Sequence, residues 1–295
     1  MVHTVGPDHA ASTDFPLPSA SDRGAPSHPE PAGTPSHPAP WVREWTAASS
    51  STNQRLTDLL EAGEAIADWA VVGTDHQTSG RGRLDRTWSV PAGKALTVSV
   101  PVRVPAGTPA DALGWLPVVT GLAVRAALAE AGVAAQLKWP NDVLVGGRKI
   151  CGILARVVPV DGGMTVVIGT GVNLTLTAED FAAGGVPEGA ATSVLLESGD
   201  TDRDRLLAAL VAHVRERVER LFRTGAAGVL AAEARDAMVT LGSAVRVHLP
   251  GGEQLVGTAV RLDESANLVV RPDGAAGDRD EVAVSAGDVV HVRPA

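Results

Sequence analysis

Two adjacent glycines between apolar segments are the feature that most restricts the fold of this chain. Gly146 and Gly147 separate Val143-Leu-Val from the long apolar run 149–158. A two-residue glycine turn between strand-forming segments is typical of a β-hairpin. The run 164–169 has a similar apolar composition and follows closely, so we expect it to form a third strand. The centre of the chain is therefore predicted to be antiparallel β-structure.

Helical and strand patterns surround this centre. Residues 55–63 carry leucines at helical spacing before a terminal glycine, and Ser51, Thr52 and Asn53 stand where N-cap residues belong. The other predicted strands are 69–74, 95–103 and 136–139, and the other predicted helices are 110–131, 201–223 and 226–238. This part of the chain is therefore predicted to contain both helices and strands.

Composition divides the chain into three parts. Residues 1–40 are rich in Pro, Ser, Ala, Gly and His, and prolines without an amide donor disfavour helices and central strands. We expect a disordered leader there and a large domain over residues 41–241. The short strands predicted after Leu241 are 244–249, 254–262, 267–271, 280–284 and 289–292. Their Gly, Pro and Asp punctuation is typical of a small β-barrel, here over residues 242–295.

Charge and cysteine content argue against several classes of protein. A formal net charge of −9 is unlike a dedicated nucleic-acid binder, for which a basic surface is expected. Cys151 has no second cysteine with which to form an intrachain disulfide, which fits a reducing compartment. The sequence has no run of about 18 apolar residues that would indicate a membrane span. The N-terminus also lacks the basic start and apolar run of a secretory signal. We expect a soluble, cytoplasmic protein.

The first candidate site is a segment that runs from Gln77 to Trp88. It contains, in order, Gly80, Arg81, Gly82, Arg83 and Arg86. Glycine allows the backbone to approach a ligand closely, and the guanidinium group suits phosphate and carboxylate. Because its charges repel one another, the segment is expected to become ordered around an anion. Alone, it fits equally well an exposed basic loop or a nucleic-acid contact.

Two further segments place a lysine beside a turn or a strand. In Lys138-Trp-Pro-Asn-Asp142, the lysine can meet a phosphate, and the aspartate can hold Mg²⁺ beside phosphate oxygens. Taken alone, an Asn-Asp turn with local backbone bonding is the simpler interpretation. Lys149 opens an apolar strand, where its ammonium can point at a ligand carbonyl or phosphate. The alternative is a strand-end lysine that extends to solvent.

A glycine pattern completes the candidate site. Gly169-Thr-Gly-Val-Asn173 is expected to be a glycine turn with a buried amide, which would suit a nucleotide site. The pattern is weak evidence alone. The sequence also lacks the G-x-x-x-x-G-K-[ST] run of an ordinary P-loop, so any nucleotide is expected to bind in another way.

Taken together and in order, these segments resemble the biotin protein ligases. That family combines Ser-Thr-Asn, a Gly-Arg-Gly-Arg loop followed by Arg and Trp, Lys-Trp-Pro-Asn-Asp, Gly-x-Lys-x-x-Gly-Ile-Leu and Gly-x-Gly-x-Asn. This chain has all five, at 51–53, 80–88, 138–142, 147–154 and 169–173. The resemblance implies an α+β fold with a central mixed β-sheet and helices, followed by a small C-terminal SH3-like β-barrel. The catalytic domain would occupy residues 41–241 and the barrel residues 242–295.

The resemblance also implies roles for individual residues. The biotin-binding residues would be Ser51, Thr52, Asn53, Gln77, Arg81, Gly82, Arg83, Lys149 and Gly152, with Thr52 and Asn53 near the ureido ring. The nucleotide-binding residues would be Gly80, Arg83, Arg86, Trp88, Lys138, Asn141 and Asn173. Asp142 would hold Mg²⁺. Catalysis would depend on Lys149, Arg81 and Arg83.

The activity implied by the resemblance uses ATP and Mg²⁺, with biotin as the substrate. The biotin carboxylate attacks the α-phosphate of ATP, and the biotinyl-adenylate then gives biotin to a lysine of a carrier protein. A biotin carboxyl carrier domain of an acyl-CoA carboxylase is the natural partner. Arg81, Arg83 and Lys149 would offset the repulsion between the two reacting anions. No protein nucleophile is needed, so Cys151 is expected to be a small buried hydrophobe.

Two departures from the family pattern bear on these expectations. Leu84 and Asp85 stand where some members continue Arg-Gly-Arg, which removes one positive charge and adds a negative one. Some members also carry an N-terminal winged-helix DNA-binding domain, and the proline-rich residues before Trp41 cannot supply its helices. We therefore expect a ligase without repressor activity and without a DNA or membrane partner. The sequence leaves open whether the chain forms a homodimer.

Other functions stay open on the sequence alone. Lipoate and octanoate ligases share the catalytic fold, although Lys138–Asp142 and the C-terminal barrel favour biotin. A nucleic-acid-binding regulator that uses the Arg-Gly loop would need a basic surface or a recognition helix, and the sequence indicates neither. An inactive adenylate-binding module is disfavoured, because the expected site residues are all present in the sequence.

Overall fold

The computed structural model describes residues 41–83, 86–197, 200–226, 228–249, 252–274, 280–285 and 287–291. The predicted leader, residues 1–40, and the departures Leu84 and Asp85 lie outside the described residues. The elements are β1 (Val42–Thr46), α1 (Thr52–Glu61), β2 (Val71–Thr74), β3 (Gly80–Arg81), β4 (Thr87–Trp88), β5 (Ala95–Arg103), α2 (Ala110–Gly114), α3 (Leu116–Glu130), β6 (Gln136–Lys138), β7 (Asp142–Val145), β8 (Arg148–Val160), β9 (Gly163–Asn173), α4 (Ala178–Ala183), α5 (Val194–Glu197), α6 (Arg203–Thr224), α7 (Val229–Ala237), β10 (Ala244–His248), β11 (Gln254–Leu262), β12 (Leu268–Pro272), β13 (Val282–Val284) and β14 (Asp288–His291). Within those ranges, no helix combines the length and the apolar character needed to cross a membrane.

A seven-stranded mixed sheet organises the larger part of the molecule. Its strands lie in the order β1-β2-β5-β9-β8-β7-β6. Strand β1 runs parallel to β2, and every other neighbouring pair is antiparallel. The predicted hairpin is present as β7 and β8, and both turn glycines, Gly146 and Gly147, have positive φ. The mixed sheet and its helices confirm the predicted α+β class.

Alternation along β9 shows how the two faces of the sheet are used. Val166, Ile168 and Val172 join the large apolar cluster that includes residues of α3, α6 and α7. Val167 instead packs with α1 residues in a smaller cluster. Successive side chains of a strand point to opposite faces, so Gly169 and Gly171 share the α1 face with Val167. That face therefore carries glycines where a ligand can approach the backbone.

Two of the predicted elements are wrong in their extent. Residues 110–131 form two helices, α2 and α3, that meet at Trp115. Pro117 lies in the first turn of α3, where a helix needs no amide donor. Inside a continuous helix, its missing N–H would cost a hydrogen bond and its ring would clash with the preceding turn. Residues 169–173 are the end of β9 and not a glycine turn. They continue the strand because Gly171 pairs with both β5 and β8.

The C-terminal strands form a second, five-stranded antiparallel sheet. Its order is β13-β12-β11-β10-β14, which is consistent with the predicted SH3-like barrel. Two indole groups of the larger part donate to its β11–β12 turn: Trp115 Nε1 to Glu264 O at 2.8 Å, and Trp139 Nε1 to Ala266 O at 2.9 Å. The second sheet is thus fastened to the part of the molecule that carries the candidate site.

Candidate active site

A cleft opens on the α1 face of the mixed sheet, between α1, the β3–β4 hairpin and strands β7 to β9. Every predicted site residue except Gly80 and Asn173 lines it. Five segments that are far apart in sequence therefore converge at one place.

The start of α1 presents its polar residues to the cleft. Ser51 is the N-cap of the helix, and its side chain accepts a hydrogen bond from the first turn. Thr52 and Asn53 follow at the first two helical positions. A parallel bridge between Ser49 and Gln77 brings the neighbouring segment alongside. The N-cap preference of Ser51 thus fixes the position of the biotin-binding residues predicted from the sequence.

Neutral polar groups at this end of the cleft are held by one another. The Thr52 N–H donates to Gln77 Oε1 at 2.9 Å, and Asn53 Nδ2 donates to Leu154 O at 2.9 Å. The buried Ser99 hydroxyl lies 2.7 Å from Thr52 Oγ1 and 2.6 Å from Asn53 Oδ1. These contacts set the side-chain orientations, so the cleft offers a fixed array of uncharged donors and acceptors.

The floor of the cleft is made of glycine. Gly152 and Gly171 are paired across β8 and β9, and the Trp88 ring lies on them, since a Cβ at Gly171 would fall 2.8 Å from that ring. A Cβ at Gly169 would overlap the Asn53 side-chain amide. Trp88 Nε1 is buried and has no hydrogen-bond partner among the described residues. Buried donors are nearly always satisfied, so we expect a ligand acceptor at that point.

The arginine-rich segment folds back as the short hairpin of β3 and β4. Gly80 pairs with Trp88, which places the tryptophan ring against the sheet and leaves the arginines at the rim. The Arg83 guanidinium carbon lies 6.0 Å from the centroid of the Trp139 ring. This distance is within the range of a cation–π contact.

Positive charge dominates among the charged groups of the cleft. The described lining contains five cationic residues, Arg81, Arg83, Arg86, Lys138 and Lys149, and a single carboxylate, Asp142. The chain as a whole carries a net charge of −9, so this concentration of cations is local. A cleft lined by one sign of charge attracts the opposite sign. Phosphate and carboxylate groups are the ligands expected here.

Lys149 is held at both its ammonium and its main chain. Its Nζ lies 2.5 Å from Asp142 Oδ1 and 5.9 Å from the centroid of the Trp88 ring. Its N–H donates to Ala190 O, and its carbonyl accepts from the Thr192 N–H, each at 2.9 Å. The main chain of Lys149 is therefore fixed, while its ammonium faces the cleft.

Two predicted nucleotide-binding residues lie outside the cleft lining. Gly80 is buried in the β3–β4 pairing. Asn173 is 4% exposed, and its Nδ2 lies 3.3 Å from Lys149 O and 2.9 Å from Thr192 O. The Asn173 amide thus supports the backbone around Lys149. A nucleotide contact of either residue stays a prediction.

Cys151 is buried on the strand that carries Lys149 and Gly152. Burial raises the pKa of its thiol to about 12, although the nearby Lys149 charge acts in the opposite direction. The group is therefore a neutral thiol at physiological pH, and the thiolate needed for nucleophilic attack is scarce.

Several residues of the site were not identified from the sequence. Thr97 lines the cleft, and Ser99 supports it from the same strand. Hydroxyl residues two positions apart in an otherwise apolar strand point to one face, so their spacing was a usable signal. Gly287 lines the cleft from the C-terminal sheet. No local pattern could reveal Gly287, because its position depends on how the two sheets pack.

Known proteins are similar to this chain in sequence and in fold. Residues 45–173 match the biotin/lipoate A/B protein ligase family. The biotin–[acetyl-CoA-carboxylase] ligase of Mycobacterium tuberculosis is 39% identical over 84% of this chain and 88% of its own length. The bifunctional ligase/repressor of Escherichia coli is 32% identical over 76% of this chain and 67% of its own length. A solved structure of biotin protein ligase from Aquifex aeolicus in complex with biotin and ATP has a TM-score of 0.67 at 23% identity. The match covers 85% of this chain and 98% of that one, and it shows a shared fold.

Proposed function

The chain belongs to the biotin protein ligases, and we propose that its cleft forms biotinyl-5′-adenylate from biotin and ATP and then transfers biotin to a carrier lysine. The observation that carries this proposal is the union of a neutral polar end and a cationic end in one cleft. Biotin has a neutral ureido ring at one end and a carboxylate at the other. ATP adds further negative charge, which the cationic end suits.

The two ends of the cleft are separated along β8. Asn53, at the neutral end, contacts the carbonyl of Leu154, whereas the Lys149 ammonium lies beside Gly152 of the same strand. Two residues of extended strand span roughly 7 Å. Biotin bound with its ureido ring near Thr52, Asn53 and Gln77 would therefore direct its carboxylate toward the cations.

In the first step, a carboxylate oxygen of biotin attacks the α-phosphorus, and the bond to pyrophosphate breaks. Two anions must approach one another for this to occur. Arg81, Arg83 and Lys149 lower that repulsion and stabilise the charge that grows in the transition state. Lys149 is the best placed for the acyl phosphate, because its ammonium lies beside the glycine floor of Gly152.

The carboxylate available in the cleft fits a Mg²⁺ ion that is held mainly by the phosphate groups of the substrate. Among the described residues, no group of three or more His, Cys, Asp or Glu side chains converges on one point. Mg²⁺ in nucleotide sites commonly uses one or two protein carboxylates together with substrate phosphates, and Asp142 supplies one carboxylate in the cleft. When bound, the ion would neutralise charge on the leaving pyrophosphate.

In the second step, the amine of a carrier lysine attacks the acyl carbon, and AMP leaves. The chain needs no nucleophile of its own, which agrees with the neutral, buried thiol of Cys151. The adenylate is a mixed anhydride that water hydrolyses. The hairpin that carries Arg81 and Arg83 would close over it and exclude water.

We assign the remaining partners as parts of the same proposal. The acceptor would be the biotin carboxyl carrier domain of an acyl-CoA carboxylase, and the reaction would take place in the cytoplasm. The chain would act as a ligase without binding DNA. In support, the net charge of −9 is unlike that of a dedicated nucleic-acid binder. Gel-shift and sedimentation experiments would test DNA binding and homodimer formation.

Biotin-dependent release of pyrophosphate from ATP and Mg²⁺ is the direct test. Purified full-length protein should release pyrophosphate with biotin, but not with lipoate or octanoate, and should then label an added carrier domain. Release with lipoate or octanoate only would move the chain to the sister ligases of the same fold. Absence of release with all three acids would contradict the proposed activity.

A further inference from the structure

Trp139 touches three parts of the molecule that are distant in sequence. Its backbone N–H donates to Thr240 Oγ1 at 3.0 Å, in the segment that leads into the C-terminal sheet. Its indole Nε1 donates to Ala266 O at 2.9 Å, within that sheet's β11–β12 turn. Its ring lies under the Arg83 guanidinium, and only 3% of the residue is exposed. Trp139 thus lies between the C-terminal sheet and the arginine hairpin.

The acceptor of the indole N–H is held firmly. Asp263 Oδ1 accepts from the backbone N–H groups of Ser265 and Asn267, each at 2.9 Å. Ala266 has a φ of 59°, a left-handed conformation that residues other than glycine adopt at an energetic cost. Such a conformation persists where surrounding contacts impose it, so the Ala266 carbonyl is a well-fixed acceptor.

We propose that Trp139 is a positioning residue that couples the docking of the C-terminal sheet to the placement of Arg83 over the cleft. The indole hydrogen bond fixes the plane of the ring, and a cation–π contact requires the cation over the ring face. When the hydrogen bond is lost, the ring turns, and Arg83 loses part of its support. Weaker support of Arg83 should let a bound adenylate leave faster. This expected effect rests on the function proposed above, because only under that function does the hairpin retain an adenylate.

The same turn offers a matched control. Trp115 is 4% exposed, and its Nε1 donates to Glu264 O at 2.8 Å, two residues before the acceptor of Trp139. Trp115 does not belong to the described cleft lining. Replacing Trp115 removes the same type of bond between the same two parts of the molecule, without a contact to Arg83. The pair of variants therefore separates general docking of the C-terminal sheet from transmission to the hairpin.

The experiment measures the release of preformed biotinyl-adenylate in the absence of carrier, at a temperature at which each variant is folded. Trp139→Phe keeps an aromatic ring and loses the N–H, and it should release the adenylate several-fold faster. Trp139→Leu loses both the ring and the N–H, and it should release it roughly tenfold faster. Trp115→Phe should stay within about twofold of the wild-type rate, because it keeps the aromatic ring and removes no contact to Arg83. Wild-type release by both Trp139 variants, or equal acceleration by Trp115→Phe, would overturn the inference.

A second measurement does not depend on ligase activity. Limited digestion by trypsin reports how often the hairpin opens. Cleavage after Arg83 in the protein without substrates should be several-fold faster in both Trp139 variants and unchanged in Trp115→Phe. If the wild-type protein forms no adenylate, the proposed function fails, and the cleavage rates still decide the inference. Equal cleavage in all four proteins would refute the coupling.

Discussion

The ion pair between Lys149 and Asp142 has more importance for binding than for folding. The two side chains are 35% and 21% exposed. Pairs that keep access to water contribute about 0–1 kcal/mol to stability. The lysine is also placed beside four other cations that line the same cleft, where their mutual repulsion favours an anionic ligand. The main contribution of Lys149 is therefore expected in the reaction.

Replacing this lysine should impair the chemistry and spare the fold. We expect Lys149→Met to slow biotin-dependent pyrophosphate release by about 10²-fold or more, since one charge is removed from the developing transition state. The melting temperature should change by no more than a few degrees. Stopped-flow detection of pyrophosphate at saturating biotin and ATP gives the rate.

Arg148 provides the control for this variant. It is the preceding residue and is also cationic, but it pairs with Glu197 at 2.9 Å and does not line the described cleft. Arg148→Met should keep most of the wild-type rate. If Lys149→Met retains more than half of the wild-type rate, Lys149 has no role in the reacting step.

At the scale of elements, the packing of Trp88 on β8 and β9 requires glycine. We expect Gly171→Ala to raise the KM for biotin or ATP at least several-fold, because the new methyl would displace the Trp88 ring. Overpacking of this type lowers the free energy of unfolding by about 1–3 kcal/mol. Urea denaturation and steady-state kinetics measure the two effects.

Gly184 is the matched position for this substitution. It caps α4 with an ordinary φ of −77°, and a Cβ there would meet its nearest atoms at 3.4 Å or more. Gly184→Ala should therefore leave both the stability and the KM values close to those of the wild-type protein. A Gly171→Ala protein with unchanged KM values would show that the floor tolerates a side chain.

The sequence was informative where the signal was local and failed where distant segments decide the structure. Gly146 and Gly147 correctly located the hairpin. The sequence also predicted a break after Gly169, because glycines commonly end strands. The structure instead uses Gly169 and Gly171 to make room for Asn53 and Trp88, which come from other segments. No local pattern contains that information.

The break between α2 and α3 was missed for a different reason. The run 110–131 is apolar enough to suggest one helix, yet Pro117 was visible in the sequence as a residue suited to a first helical turn. Trp115 lies at the break and donates its indole N–H to Glu264 O. Pro117 was thus a local indication of a helix start, but the apolar pattern of the run led to the prediction of one continuous helix.

At the scale of the whole molecule, the cleft belongs to both sheets. Gly287 lines it from the C-terminal sheet, and Trp115 and Trp139 fasten that sheet to the larger part. Composition alone predicted a change of structure near Leu241. It could not predict that the second sheet completes the cleft, since this depends on contacts between residues more than one hundred positions apart.

The N-terminal boundary of the described residues gives the last prediction. Deleting residues 1–40 should leave kcat/KM for biotin within about twofold of the full chain, because the composition of this segment, rich in Pro, Ser and Gly, predicts a disordered leader. Deleting residues 1–47 should instead be strongly destabilising. That deletion removes the edge strand β1, which pairs with β2.

The expected difference in stability between the two deletion proteins depends on Trp45. Its indole N–H donates to Asp75 Oδ1 at 3.1 Å, and the Arg203 guanidinium lies 5.6 Å from the ring centroid. Loss of a large packed aromatic residue costs about 3–5 kcal/mol, so the shorter protein should melt well below the longer one. Calorimetry and pyrophosphate release on both proteins provide the comparison. A large loss of activity with unchanged melting on removal of residues 1–40 would mean that this segment contributes to the site or to carrier binding.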